Sequence, residues 1–280
     1  MMILEFANLG NLRYNLSNNL NSIFWEDRIE LLSELAVNLK TLHGLGYFHK
    51  DLHSGNILQK QDDGDNFDYE TYISDFGLSG PANKQKSDNK IYGVLPYIAP
   101  EVLNGEAYSY SSDIYSFGVI MAELSSGKPP FYDRKHDVSL ALAICNGLRT
   151  EFGEGTPEIY KKLAYRCMNA NSSKRPTVEE LCDIFRFWRN SIYIHQYEEE
   201  ELFGYKGKQI KAVFKEADKE IPNISISCEK DRDAIYTSRA FTFNNLSKPV
   251  NSPFITAYLE DNYGMCLFCL GDQYYNVYKG

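Results

Sequence analysis

The sequence predicts an α+β fold, predominantly helical, with short β-hairpins and a mostly disordered C-terminal tail. Three observations carry that reading. From Trp25 to Leu45 the apolar residues Ile29, Leu32, Leu35, Ala36, Leu39 and Leu42 recur at helical spacing, and Gly44 and Gly46 end the run. From Ser111 to Ser125, Ile114, Phe117, Val119, Ile120, Met121 and Leu124 make a helix apolar nearly all round, which belongs in the middle of a core. After about Ile194 the character changes: Glu198-Glu199-Glu200-Glu201, a Lys-rich stretch to about Glu220, then Asn, Ser and Tyr without sustained periodicity.

Composition narrows the function. A chain of 280 residues with 43% hydrophobic content can bury a substantial core. A net charge of −9 argues against nucleic acid or an acidic lipid surface as the main partner. No apolar run is long enough to span a bilayer and no signal peptide is evident, so a cytoplasmic protein is expected. The six cysteines are scattered. Cys266 and Cys269 have metal-ligand spacing but no second Cys or His pair, so reduced thiols are the expectation.

Taken in order, Met1-Met2-Ile3-Leu4 reads as a short buried strand and Glu5-Phe6-Ala7-Asn8 as its exit. The long amphipathic helix then feeds Tyr47-Phe48-His49-Lys50-Asp51-Leu52-His53-Ser54-Gly55-Asn56-Ile57-Leu58. In that polar turn Asp51 can accept a proton from a hydroxyl, and Asn56 offers its side-chain oxygen to a hard cation such as Mg²⁺. Strands around Ile57-Leu58 and Thr71–Ile73 flank a polar loop at 61–66, which lacks the terminal glutamate of a Ca²⁺ loop and reads as a solvated hairpin turn. Tyr72-Ile73-Ser74-Asp75-Phe76-Gly77 brings a second carboxylate to a strand end, with Gly77 freeing the backbone just after it.

Between Leu78 and Pro100 the hydroxyls of Ser79, Ser87 and Tyr92 lie among lysines, a pattern equally compatible with a flexible loop and a phosphorylation switch. The central helix follows, with Asp113 at its start as a candidate N-cap. Further helices are expected near Val138–Cys145, Pro157–Met168 and Val178–Trp188, the last opened by a capping box at Thr177–Glu180.

His49-Lys50-Asp51, Asp75-Phe76-Gly77 and Ala99-Pro100-Glu101 come in this order at these spacings. With Asp113 and Arg175 behind them, the stretch from Met1 to about Trp188 resembles the hinge and large lobe of a eukaryotic protein kinase. The run Gly93-Val94-Leu95-Pro96-Tyr97-Ile98-Ala99-Pro100-Glu101 looks closest to the tyrosine-kinase-like group, whose members mostly phosphorylate Ser or Thr. The resemblance implies a role for each matched residue. Asp51 would be the catalytic base, and Asn56 and Asp75 the Mg²⁺ ligands. Leu4 would gate the pocket, Glu5 and Ala7 would present backbone to adenine, and Leu58 would lie beneath the ring. His49 and Phe76 would pack as an internal spine, Asp113 would brace the catalytic loop, and Glu101 would pair with Arg175. If that pair is buried, removing one partner costs about 3–5 kcal/mol.

The departures are informative too. Lys50 stands where the family carries arginine and lacks its bidentate fork. His53 and Val94 stand where Ser/Thr kinases usually carry lysine and threonine, so Ser/Thr is favoured only weakly over Tyr. The Gly-rich loop, strand lysine and helix glutamate that belong before the hinge do not occur in the sequence. The expectation is a kinase-like domain over 1–194, with most of the small lobe missing, and a tail over 195–280. Such a chain should use ATP and Mg and act on protein substrates, yet be inactive alone. The alternative is a non-catalytic module that binds a partner through its exposed cleft or its tail.

Overall fold

The computed structural model describes residues 6–61, 69–81, 90–224, 229–243 and 246–260. Leu4, Glu5, Ser87, the polar loop at 62–68, and Cys266 and Cys269 lie outside the described residues.

The chain enters through β1 (Gly10–Asn11) and α1 (Leu12–Asn19), where Asn11 caps the helix by accepting from Tyr14 N. The amphipathic pattern becomes α2 (Trp25–Gly44), which buries Ile29, Leu32, Leu35, Ala36 and Leu39. Short strands follow: β2 (Tyr47–Phe48), β3 (Ile57–Gln61), β4 (Tyr69–Ile73), β5 (Gly80–Pro81) and β6 (Ile91–Gly93). They pair antiparallel in small sheets, β1–β3–β4 and β2–β5, so the turn carrying Asp51 is held between two hairpin-like ladders.

The helical body continues with α3 (Pro100–Leu103), α4 (Tyr110–Ser126), α5 (Val138–Cys145), α6 (Glu158–Cys167) and α7 (Val178–Tyr193). As its composition predicts, α4 is buried from Ser112 to Ser126. It lies so close to α6 that a Cβ at Gly118 would stand 2.7 Å from the Cys167 Cβ. Cys145, Cys167 and Cys182 are buried and free. Burial pushes the Cys145 thiol up to about 11 and the Cys167 thiol up to about 12, so both are inert core residues.

After residue 194 the structure differs from the expected disorder. The chain forms β7 (Glu201–Leu202), β8 (Tyr205–Lys206), α8 (Gly207–Ala217), β9 (Arg239–Phe241) and α9 (Pro253–Glu260). In α8, Ile210, Phe214 and Ala217 form one buried stripe. Phe214 packs against Trp25 and Trp188 at ring-centroid distances of 5.7 and 5.4 Å. The acidic run is the other half of this unit: Glu199 meets Lys208 and Glu198 meets Lys211, at 2.8 and 3.2 Å. Among the described residues no helix is long and apolar enough to cross a membrane.

Candidate active site

The turn carrying Asp51 is strained, and its strain is held by one buried carboxylate. Lys50 has φ +70°, a conformation a side chain disfavours. Asp113, 1% exposed, accepts from His49 N at 2.8 Å and Lys50 N at 3.0 Å, and its carboxylate is also 2.9 Å from His43 Nε2. Asp113 therefore braces the loop rather than capping its own helix. The start of α4 is closed by Ser109 and Ser112 instead.

From this brace the polar groups link in sequence. Asp51 N donates to His49 Nδ1 at 3.3 Å, and His49 Nε2 lies 3.0 Å from Ser74 O. An Nδ1 acceptor implies a neutral Nε2–H tautomer, and burial lowers the His49 pKa against the opposing pull of Asp113. Asn56 Nδ2 donates to Asp51 O at 3.0 Å, leaving its side-chain oxygen for a cation. Asn56 O in turn accepts from Ser74 N at 2.8 Å and Ser74 Oγ at 3.0 Å, which fixes the residue before Asp75. Asp75 itself is exposed, has φ +59°, and accepts from Gly77 N at 3.2 Å. One connected network thus holds Asp51 and Asn56 and ends at Ser74, the residue before Asp75.

The other anticipated residues fall around it. The His49 and Phe76 rings lie 5.4 Å apart, but Phe76 is 52% exposed, so only one side of it is packed. Leu58 is half-buried in β3, opposite Asn11 and Tyr72. Ala7 is half-buried and its carbonyl accepts from Gly10 N, closing a turn. Ser79 is half-buried with its hydroxyl donating to His49 O at 3.2 Å, and Tyr92 lies within β6. Glu101 and Arg175, both nearly buried, form a bidentate pair at 2.7 and 2.6 Å, and Arg175 also donates to Asn169 O and Ser111 O.

A second polar cluster escaped the sequence reading. Glu123, 1% exposed, accepts from Ser54 Oγ at 2.8 Å and from the Tyr97 hydroxyl, while Arg13 Nη2 donates to that hydroxyl at 3.3 Å. Burial raises the Glu123 pKa, with Arg13, Tyr97 and Ser54 pulling the other way. His53 bridges this cluster to the Asp51 carboxylate, its Nε2 3.7 Å from Asp51 Oδ1 and its ring 5.7 Å from Tyr97. One acidic residue inside an otherwise apolar helix was the available signal, since a buried carboxyl needs partners.

The protein kinase domain model matches residues 1–185. The chain belongs to the protein kinase family. Similar proteins include a probable LIM domain-containing serine/threonine-protein kinase of Dictyostelium discoideum, 28% identical over 65% of this chain and 18% of the relative. A putative serine/threonine-protein kinase/receptor of Acanthamoeba polyphaga mimivirus is 31% identical over 64% of this chain and 11% of its own length. The dual specificity testis-specific protein kinase 2 of Rattus norvegicus is 31% identical over 63% and 31%. The chain therefore spans less than a third of each of these relatives.

Proposed function

We propose that this chain supplies the floor of an ATP- and Mg²⁺-dependent site that phosphorylates hydroxyls of protein substrates, with Ser/Thr favoured over Tyr. The observation that carries the reading is the continuous hydrogen-bonded path from Asp113 through His49, Asp51 and Asn56 to Ser74, next to Asp75. It fixes Asp51 and Asn56 and ties their loop to the backbone just before Asp75. The serine/threonine and dual-specificity activities in the relatives' names point the same way.

Asp51 orients the acceptor hydroxyl and takes its proton. His53, beside the Asp51 carboxylate, helps fix its position. The oxygens of Asn56 and Asp75 are hard donors that fit Mg²⁺, and they would hold it; when bound, the ion neutralises charge on the phosphates. Ala7 and Leu58 would border the adenine.

These 280 residues contain no Gly-rich loop or strand lysine over the phosphates, and each such donor is worth about 10²–10³ in rate. The chain alone should show negligible transfer, and Mg-ATP should barely raise its melting temperature. Joined in frame to the small lobe of a tyrosine-kinase-like kinase, it should phosphorylate a protein acceptor. Asp51→Asn should lower that rate by about 10²–10⁴. Equal transfer by the Asp51→Asn form would refute the assignment. Exposed Phe6, at 81%, and half-exposed Phe76 favour a second reading, a surface that binds a partner without catalysis. An inactive joined protein would promote it.

A further inference from the structure

The tail returns to the catalytic carboxylate. β9 pairs antiparallel with β6, and the register sets Phe241 opposite Ile91, Ala240 opposite Tyr92 and Arg239 opposite Gly93. Gly93 has φ +139°, and a Cβ there would stand 3.3 Å from Asp51 Oδ1. Pairing at Gly93 is therefore pairing beside the proposed base. The residue preceding Arg239 is Ser238, which is exposed.

Side-chain anchors flank the pairing. Tyr236 is buried, its hydroxyl donating to Pro130 O at 2.9 Å and its ring meeting His136 edge-on at 4.8 Å. The Arg13 guanidinium covers the same ring at 4.8 Å and donates to Tyr236 O at 3.1 Å. Arg239 Nη2 donates to His136 O at 2.6 Å, and His136 N donates to Asp233 O at 3.1 Å. Phe241 is half-buried against the core, and between Tyr236 and Phe241 the residues Thr237, Ser238 and Ala240 are exposed. Backbone pairing to a strand edge, with pockets for intermittent side chains, is how an extended peptide is recognised by strand addition.

We propose that the β6 edge, with the Arg13–His136 pocket, is a docking site for an extended peptide of pattern Tyr-x-x-Arg-x-Phe, and that residues 236–241 of the chain are its resident occupant. While they are docked, a protein substrate approaching Asp51 along this edge has to displace them. This rests on the phosphotransfer reading for its regulatory meaning, but its test needs neither nucleotide nor turnover. In an antiparallel pair alternate N–H groups point at the partner, so prolines at two successive positions remove at least one bond whatever the phase.

The test uses a fluorescent synthetic peptide spanning residues 229–243, titrated against the full chain and the Ala240→Pro/Phe241→Pro form by anisotropy. The double variant should bind the peptide at least about tenfold more tightly than the unaltered chain, whose edge is filled. Arg239→Glu, which spares the backbone, should also open the edge, and circular dichroism melting would verify that each form is folded. Equal affinity of all folded forms, or no binding to any of them, would overturn the proposal. Transfer activity in the joined protein with no peptide docking would sink this inference alone. Docking without transfer would sink only the phosphotransfer reading.

Discussion

Two segments meet at Gly93 and are held in opposite ways. On one side the Asp51 turn, residues 49–56, is locked by main-chain bonds to a single buried carboxylate and by neighbours within a few residues. On the other, β9 rests on three residue pairs and on anchors supplied by Arg13 and His136, far away in sequence. The first is rigid because removing any part strands a buried donor or acceptor, which costs about 1–3 kcal/mol each time. The second exposes its backbone between anchors and has the makings of a segment that opens locally.

The sharpest break of this contrast lies behind β9. If residues after 194 were only an appendage, truncating Phe214 would be silent. Packed between Trp25 and Trp188, it should instead cost about 3–5 kcal/mol as Phe214→Ala, read by denaturant midpoint. Asp113→Ala comes next. It orphans His49 N and Lys50 N, and should cost at least about 2 kcal/mol while leaving amide protection at 239–241 unchanged. The double proline in β9 should cost about 1–2 kcal/mol, an edge hydrogen bond together with the half-buried Phe241 ring.

The same contrast explains what the sequence made legible. The candidate site could be proposed from sequence because its signal is local: Asp51, Asn56 and Asp75 sit in short motifs, and α2 and α4 announce themselves by apolar spacing. The tail could not, because its apolar residues are sparse and each one is buried by a partner from elsewhere. Ile210 and Phe214 need α2 and α7, and Tyr236 needs Arg13 and His136. The acidic run likewise looked like a solvated tail until its lysine partners folded back against it. The Glu123 cluster was missed for the same reason, since Arg13, Ser54 and Tyr97 come from three separated segments.

The smallest expected effect is a pH slope in the rigid half. His49 is neutral in the fold with its pKa lowered by burial, so below about 6.5 the unfolded chain binds more protons than the native one. Its contribution is fully present above that pH and declines as pH falls towards the lowered value. His49→Asn should flatten this part of the stability–pH curve, measured by urea unfolding between pH 7.5 and roughly pH 5. An unchanged slope would show that the ring is not held neutral.

Amide hydrogen exchange resolved to residues 91–93, 239–241 and 49–56 tests most directly whether the tail closes the edge beside Asp51. In the unaltered chain 91–93 and 239–241 should be protected together, with similar opening rates. In the Ala240→Pro/Phe241→Pro form both should exchange freely while 49–56 stays protected. Protection at 91–93 that persists without β9 would contradict the account.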